Sequence, residues 1–112
     1  MRLKGAHVKQ SDELATQILS VIQLIPQAKI ATYGQIAKLA GLPKHARLVG
    51  YVLKHLDATS TIPWHRVVNA QGKISTQRCN EKGENIQQLK LAAENIFVVN
   101  GRISLKQYQW LP

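Results

Sequence analysis

The sequence predicts a mainly α-helical domain with a small β-hairpin, on three observations. Apolar residues recur at helical spacing in several separate segments. Two of those segments are short, adjacent and split by a glycine-proline break, in the manner of a helix-turn-helix. Later, two β-rich runs flank a glycine-containing turn. At 112 residues the chain has the length of one domain, and no internal repeat or long Pro/Gly/Ser linker divides it. Residues 1–10 read as a basic N-terminal tail and 11–112 as the folded unit.

Each element has a local signal. Ser11 is placed to cap a first helix with Asp12 and Glu13 in its first turn and Leu14, Ile18, Val21, Ile22 and Ile25 on one face, closed off by Pro26. Thr32 and Gln35 form a capping-box pair ahead of Ile36, Ala37, Leu39 and Ala40, and Gly41-Leu42-Pro43 supplies a turn of about three residues. In the next helix Val49, Val52, Leu53 and Leu56 make the buried stripe, which turns Arg47, Tyr51, Lys54 and His55 outward. Ile62–Val68 and Lys73-Ile74-Ser75 are the hairpin strands about Asn69-Ala70-Gln71-Gly72. Ile86, Leu89, Ala93 and Ile96 mark a last helix, followed by a terminal strand or loop over Phe97–Ile103.

Fifteen Lys and Arg against six Asp and Glu give a net charge of +9, and the stretch from Glu13 to Asp57 holds five lysines and arginines and no acid between its ends. Nucleic acid is the first candidate partner, because neutralising phosphates releases counterions; an anionic membrane surface is second. No run approaches the roughly 18 apolar residues of a membrane span, and Met1–His7 lacks the pattern of a secretory leader or lipid anchor. Cys79 is the sole cysteine, so no internal disulfide or multi-cysteine zinc site is available, and a reducing cytoplasm is expected. His7, His45 and His55 have no zinc-site spacing, and no phosphate-cradling glycine motif occurs, so neither metal nor cofactor is expected.

Chemical interest concentrates in Pro63-Trp64-His65-Arg66-Val67, where a rigid proline precedes a large aromatic, an imidazole and a guanidinium. By residue type alone this could be a core tryptophan beside a structural histidine or the wall of a pocket. The segment resembles the active-site region of the O6-alkylguanine-DNA alkyltransferases, whose hallmark is Pro-Cys-His-Arg-Val, with tryptophan in the place of the acceptor cysteine. Ala31-Thr32-Tyr33-Gly34-Gln35-Ile36-Ala37 and Ala46-Arg47-Leu48-Val49-Gly50 resemble the two helices of that family's helix-turn-helix. The similarity spans Ser11 to Ile103, and the exchange of Cys for Trp points to the alkyltransferase-like proteins, which bind alkylated guanine without repairing it.

The resemblance implies a winged helix-turn-helix DNA-binding domain like the alkyltransferase C-terminal domain, acting as a monomer. It implies that Arg47 enters the duplex through the minor groove and fills the gap left by a flipped nucleotide, a task suited to a guanidinium that both stacks and donates. Tyr33 would pack on the flipped nucleotide, with Lys44, Tyr51 and Lys54 completing the DNA surface. The alkylguanine pocket would comprise Tyr33, Trp64, Val67, Val68, Ser75 and either Gln77 or Arg78, with Arg78 favoured. His65 and Glu94, which in the transferases form with a water the relay that activates the thiol, would remain as structural support, joined by Arg66, which in the family bonds backbone and carboxylate groups around the site. Leu56 stands where the transferases carry an asparagine hinge, a further departure from a catalytic pattern.

Three functions follow. The first is a non-enzymatic damage sensor that flips O6-alkylguanine into a pocket walled by Trp64, an indole being no SN2 acceptor, and marks the site for nucleotide excision repair. The second keeps alkyl transfer on Cys79 and would leave an added alkyl mass on the protein. The third, a winged-helix transcription regulator, would prefer one unmodified sequence.

Overall fold

The computed structural model describes residues 10–57 and 59–112. In chain order the elements are α1 (Gln10–Ile22), β1 (Ala31–Thr32), α2 (Tyr33–Leu39), α3 (Ala46–Lys54), a 3₁₀ turn at Trp64–Arg66, β2 (Val67–Val68), α4 (Ile86–Ala92) and α5 (Leu105–Tyr108). Among the described residues no helix is long and apolar enough to cross a membrane. The tail assigned to residues 1–10 lies outside the described residues except for Gln10, which already begins α1 and leaves Ser11 in the first turn rather than at the cap. Helix ends vary by about that much.

The capping box forms as the sequence requires. Thr32 Oγ1 accepts from Gln35 N–H at 3.1 Å, and Gln35 Oε1 accepts from Thr32 N–H at 3.4 Å. The connection between α2 and α3 runs over residues 40–45, longer than the expected turn, since α3 starts only at Ala46. Gly41 adopts φ +80, the left-handed conformation in which a helix commonly ends. One apolar cluster gathers Ile18, Ile22 and Ile25 beside α1's end, Ile36 and Ala37 of α2, Val49 and Leu53 of α3, and Trp64 and Val67. Each such fully buried aliphatic side chain contributes about 1.5–3 kcal/mol. Leu39, expected inside, is 45% exposed because the helix turns its last residue away from this cluster.

The expected hairpin takes another form. β2 pairs in parallel with β1, Ala31 opposite Val67 and Thr32 opposite Val68, so the small sheet joins the start of the helix-turn-helix to the end of the Trp64 turn. The Asn69–Gly72 turn does form: Asn69 Oδ1 accepts from the Gln71 and Lys73 N–H groups, and Asn69 N–H donates to the Lys73 carbonyl. Beyond it the chain leaves β2, because Lys73 pairs with Arg102 and Ile103 N–H donates to the Gly72 carbonyl. The second β-rich run therefore never becomes a ladder strand.

A second cluster holds Ile30, Val68, Leu91, Ile96 and Ile103. α4 ends at Ala92 and buries Gln87 and Leu91, whereas Leu89 of the expected stripe is 46% exposed and Ala93 is its exposed C-cap. Phe97–Ile103 is a loop closed by a tight turn, in which Val99 and Arg102 exchange backbone hydrogen bonds across Asn100 and Gly101. The final segment returns to the sheet: Ile30 N–H donates to Tyr108 and Trp110 N–H to Ile30, and Gln35 Nε2 reaches the Trp110 carbonyl at 2.7 Å.

Candidate functional site

A cleft of about 810 Å³ opens between α3, the Trp64 turn with β2, and the segment after Asn69. That volume lies within the range of pockets that engulf small organic ligands. Its lining includes Tyr33, Trp64, Val67, Ser75, Gln77 and Arg78, so the structure brings together all but one of the pocket residues expected from sequence. The exception is Val68, which turns into the second cluster against Ile30; adjacent strand residues point to opposite faces, and Val67 already takes the cleft side.

Pro63 leads into the 3₁₀ turn, and Trp64 is only 7% exposed, its indole set into the first cluster with one face toward the cleft. Arg78 lies over that ring, its guanidinium carbon 4.8 Å from the centroid, in cation-π contact. The same guanidinium donates to the carbonyls of Leu53 at 2.8 Å and Leu56 at 3.1 Å, with a longer contact to Lys54. These are carbonyls at the C-terminal end of α3, where a cation is favoured by the helix dipole. Gln77 lines the cleft but is exposed. Tyr33, the first residue of α2, is partly buried, and desolvation raises its phenol pKa, so near neutral pH it offers an O–H donor and a ring face.

The DNA-facing candidates occupy the outer side. Lys44, Arg47, Tyr51 and Lys54 are all exposed, Tyr51 at 61% with its ring 4.3 Å from that of His55. Lys54 also lines the cleft, which places it at the rim rather than solely on the helix's outer face. Arg47 stands on the first turn of α3 outside the cleft lining.

Behind Trp64, Glu94 gathers donors from three directions. Arg66 Nη2 reaches Oε2 at 2.8 Å and Nε reaches Oε1 at 3.0 Å; His65 Nε2 meets Oε2 at 2.7 Å; Ala28 N–H donates to Oε1 at 2.9 Å. Burial by itself would raise the Glu94 pKa, but Arg66, His65 and Ala28 outweigh it and hold the carboxyl at about 2. Desolvation lowers the His65 pKa despite the opposing pull of Glu94. The imidazole is therefore neutral near pH 7 and donates from Nε2, so the true ion pair is Arg66 with Glu94. Arg66 Nη1 also donates to the Ile25 carbonyl at 2.8 Å, and Ala28 is held at φ 66. The group thus ties the end of α1 to the Trp64 turn.

Sequence reasoning missed Gln87, which lines the cleft although only 2% exposed and is bonded to three backbone groups. No periodicity signals it, since a glutamine inside an amphipathic helix reads as a surface residue. It also left Gly50, Asn69 and Lys73 out of the lining. Cys79 lines the cleft and is exposed, with its Sγ 3.9 Å from the Thr76 carbonyl, an acceptor that cannot serve as a base.

Residues 13–96 match the family described as the 6-O-methylguanine DNA methyltransferase DNA-binding domain. A "DNA base-flipping protein" of Vibrio parahaemolyticus is 47% identical over 90% of this chain and 99% of its own. "Alkyltransferase-like protein 1" of Schizosaccharomyces pombe is 37% identical over 90% of this chain and 97% of its own. The crystal structure of S. pombe Atl1 in complex with damaged DNA containing O6-carboxymethylguanine superimposes with a TM-score of 0.80 at 35% identity, covering 100% of both chains. With its helix-turn-helix, its cleft and an indole at the head of the Trp64-His65-Arg66 turn, the chain belongs to the alkyltransferase DNA-binding-domain family and to its non-enzymatic, alkyltransferase-like members.

Proposed function

We propose that the protein binds duplex DNA through α2 and α3, flips an O6-alkylated guanine into the cleft beside Trp64, and holds it there unrepaired. The observation that carries this reading is the cleft itself: a space large enough to take a base, joined to a helix-turn-helix, with an indole in its wall. An indole presents an apolar stacking face and no nucleophile that could accept the alkyl group, so binding is retained and transfer is not. Arg47 fills the vacated stack, Tyr33 packs on the extruded nucleotide, and Lys44, Tyr51 and Lys54 hold the backbone. Trp64, Val67, Ser75 and Arg78 surround the base, supported by His65, Arg66 and Glu94. The monomer, acting on DNA in the cytoplasm, then passes the marked site to nucleotide excision repair.

The test is a pair of duplexes identical except for guanine or O6-methylguanine at one position, titrated at a stated salt concentration, followed by weighing the protein. Tighter binding to the lesion with no mass gain is the expected result. An added methyl mass would indicate transfer to Cys79, and equal affinity with preference for one unmodified sequence would indicate a transcription regulator.

A further inference from the structure

Gln87 is the only polar side chain among the fully buried described residues, and all three of its hydrogen bonds go to the backbone of the cleft. Nε2 donates to the carbonyls of His65 at 3.0 Å and Val67 at 2.9 Å, and Oε1 accepts from the Ser75 N–H at 2.8 Å. The orientation of the amide is dictated by its partners, because turning it over would aim its oxygen at two carbonyls. Val67 lines one wall of the cleft, with His65 just before it in the Trp64 turn, and Ser75 lines the other. Past the Asn69–Lys73 turn, no backbone hydrogen bond among the described residues joins these walls. Gln87 stands where the rungs of a hairpin ladder would have been, and Asn85, the N-cap of α4, holds the Ser75 carbonyl at 2.7 Å from the same side.

We propose that Gln87 is a positioning residue that sets the separation of the two walls and so determines the preference for a modified base over guanine. This rests on the reading of the cleft as a base pocket. A buried carboxamide that satisfies both walls fixes their spacing with no freedom of its own, whereas an apolar replacement leaves two carbonyls and an N–H without partners and a carboxylate leaves the two carbonyls without donors. The walls then relax, and the fit to the extruded base is lost while the DNA surface on α3 is untouched.

The test compares Gln87→Met, which keeps length and volume, with Gln87→Glu, which keeps the acceptor for Ser75 but removes both donors. For each, the affinities for the O6-methylguanine and guanine duplexes are measured after circular dichroism has established the fold. The ratio of the two affinities is expected to fall about tenfold in both variants, with affinity for the plain duplex within about twofold of the parent. Folded variants that keep the parent's ratio, or lose affinity for both duplexes equally, would overturn the proposal. A parent protein without lesion preference would overturn the reading of the cleft instead. Should neither variant fold, the unmodified protein decides: its Gln87 side-chain amide and Ser75 N–H resonances must shift on adding the lesion duplex and stay unmoved on adding the plain one, and any other pattern rejects the assignment.

Discussion

The Arg78 guanidinium lies 4.8 Å above the Trp64 ring while donating to the Leu53 and Leu56 carbonyls, so one side chain roofs the cleft and closes the end of α3. Wall and helix are thereby coupled through a residue in the loop after Ser75. Truncating the indole removes the surface on which this roof rests. Trp64→Ala is expected to lower stability by about 3 kcal/mol and to erode the preference for O6-methylguanine more than it erodes binding to plain duplex. Trp64→Phe, which restores most of the core packing, should recover stability and only part of that preference. Thermal unfolding and paired titrations check both; equal loss on the two duplexes in a folded Trp64→Phe protein would make the tryptophan purely structural.

Acid should loosen the fold in two stages. His65 has a folded pKa below its usual 6.5, so its contribution is complete above pH 6.5 and declines as pH falls below it and the imidazole must take up a proton. Glu94 has a folded pKa of about 2 against 4.5 for an ordinary glutamate, so its contribution is present above pH 4.5 and is lost between there and pH 2. Denaturant midpoints measured from pH 8 to pH 2 are expected to show both declines, with the lower one absent in Glu94→Gln. Because Glu94 is the common acceptor for Arg66, His65 and Ala28, Glu94→Ala should cost about 3–5 kcal/mol by leaving the Arg66 charge unpaired.

Arg47 and Lys44 are both exposed cations, but their expected roles differ. Arg47→Ala should weaken binding to the lesion by about 1–3 kcal/mol and diminish the fluorescence rise of a 2-aminopurine at the flipped position. Lys44→Ala should weaken every duplex alike and reduce the slope of log affinity against log salt by about 1. Lys44 is the better control than Lys54, which also lines the cleft. An undiminished fluorescence rise in Arg47→Ala at saturating protein would reduce Arg47 to a phosphate contact.

Gly72 is held at φ +79, and a Cβ built there would lie 2.3 Å from the Ile103 carbonyl oxygen. Backbone cannot yield as a flexible side chain can. Gly72→Ala is expected to cost about 2 kcal/mol or more, from the collision together with left-handed strain. Gly34→Ala, whose Cβ would meet nothing within 4 Å, should leave the melting temperature nearly unchanged. The difference between the two melting temperatures is the measurement.

Where local chemistry decides structure, the sequence was a sufficient guide. Thr32 and Gln35 satisfy each other's backbone within one turn, and the outer face of α3 follows from the spacing of Val49 and Leu53. Partner choice over long range was not legible. Val67 and Val68 have the composition of a hairpin strand, yet they pair in parallel with residues 31 and 32, far back in the chain, because the turn after Asn69 is drawn toward Ile103. α5 spans four residues, too few for any period to show, and rests on its Ser104 cap. Most of the site was reached by resemblance of motifs; Gln87 was not, because nothing in its neighbours' pattern distinguishes a buried amide from a solvated one.

The Glu94 cluster has an evolutionary consequence. In a lineage that exchanges an acceptor thiol for an indole, residues that served only the thiol are released from selection and drift. Glu94 has no such release, since its carboxylate also anchors Ala28 and, through Arg66, the Ile25 carbonyl at the close of α1. An indole at position 64 therefore leaves the structural demand on residues 66 and 94 in force. Such a fold keeps these residues for its own cohesion, whatever side chain stands at position 64.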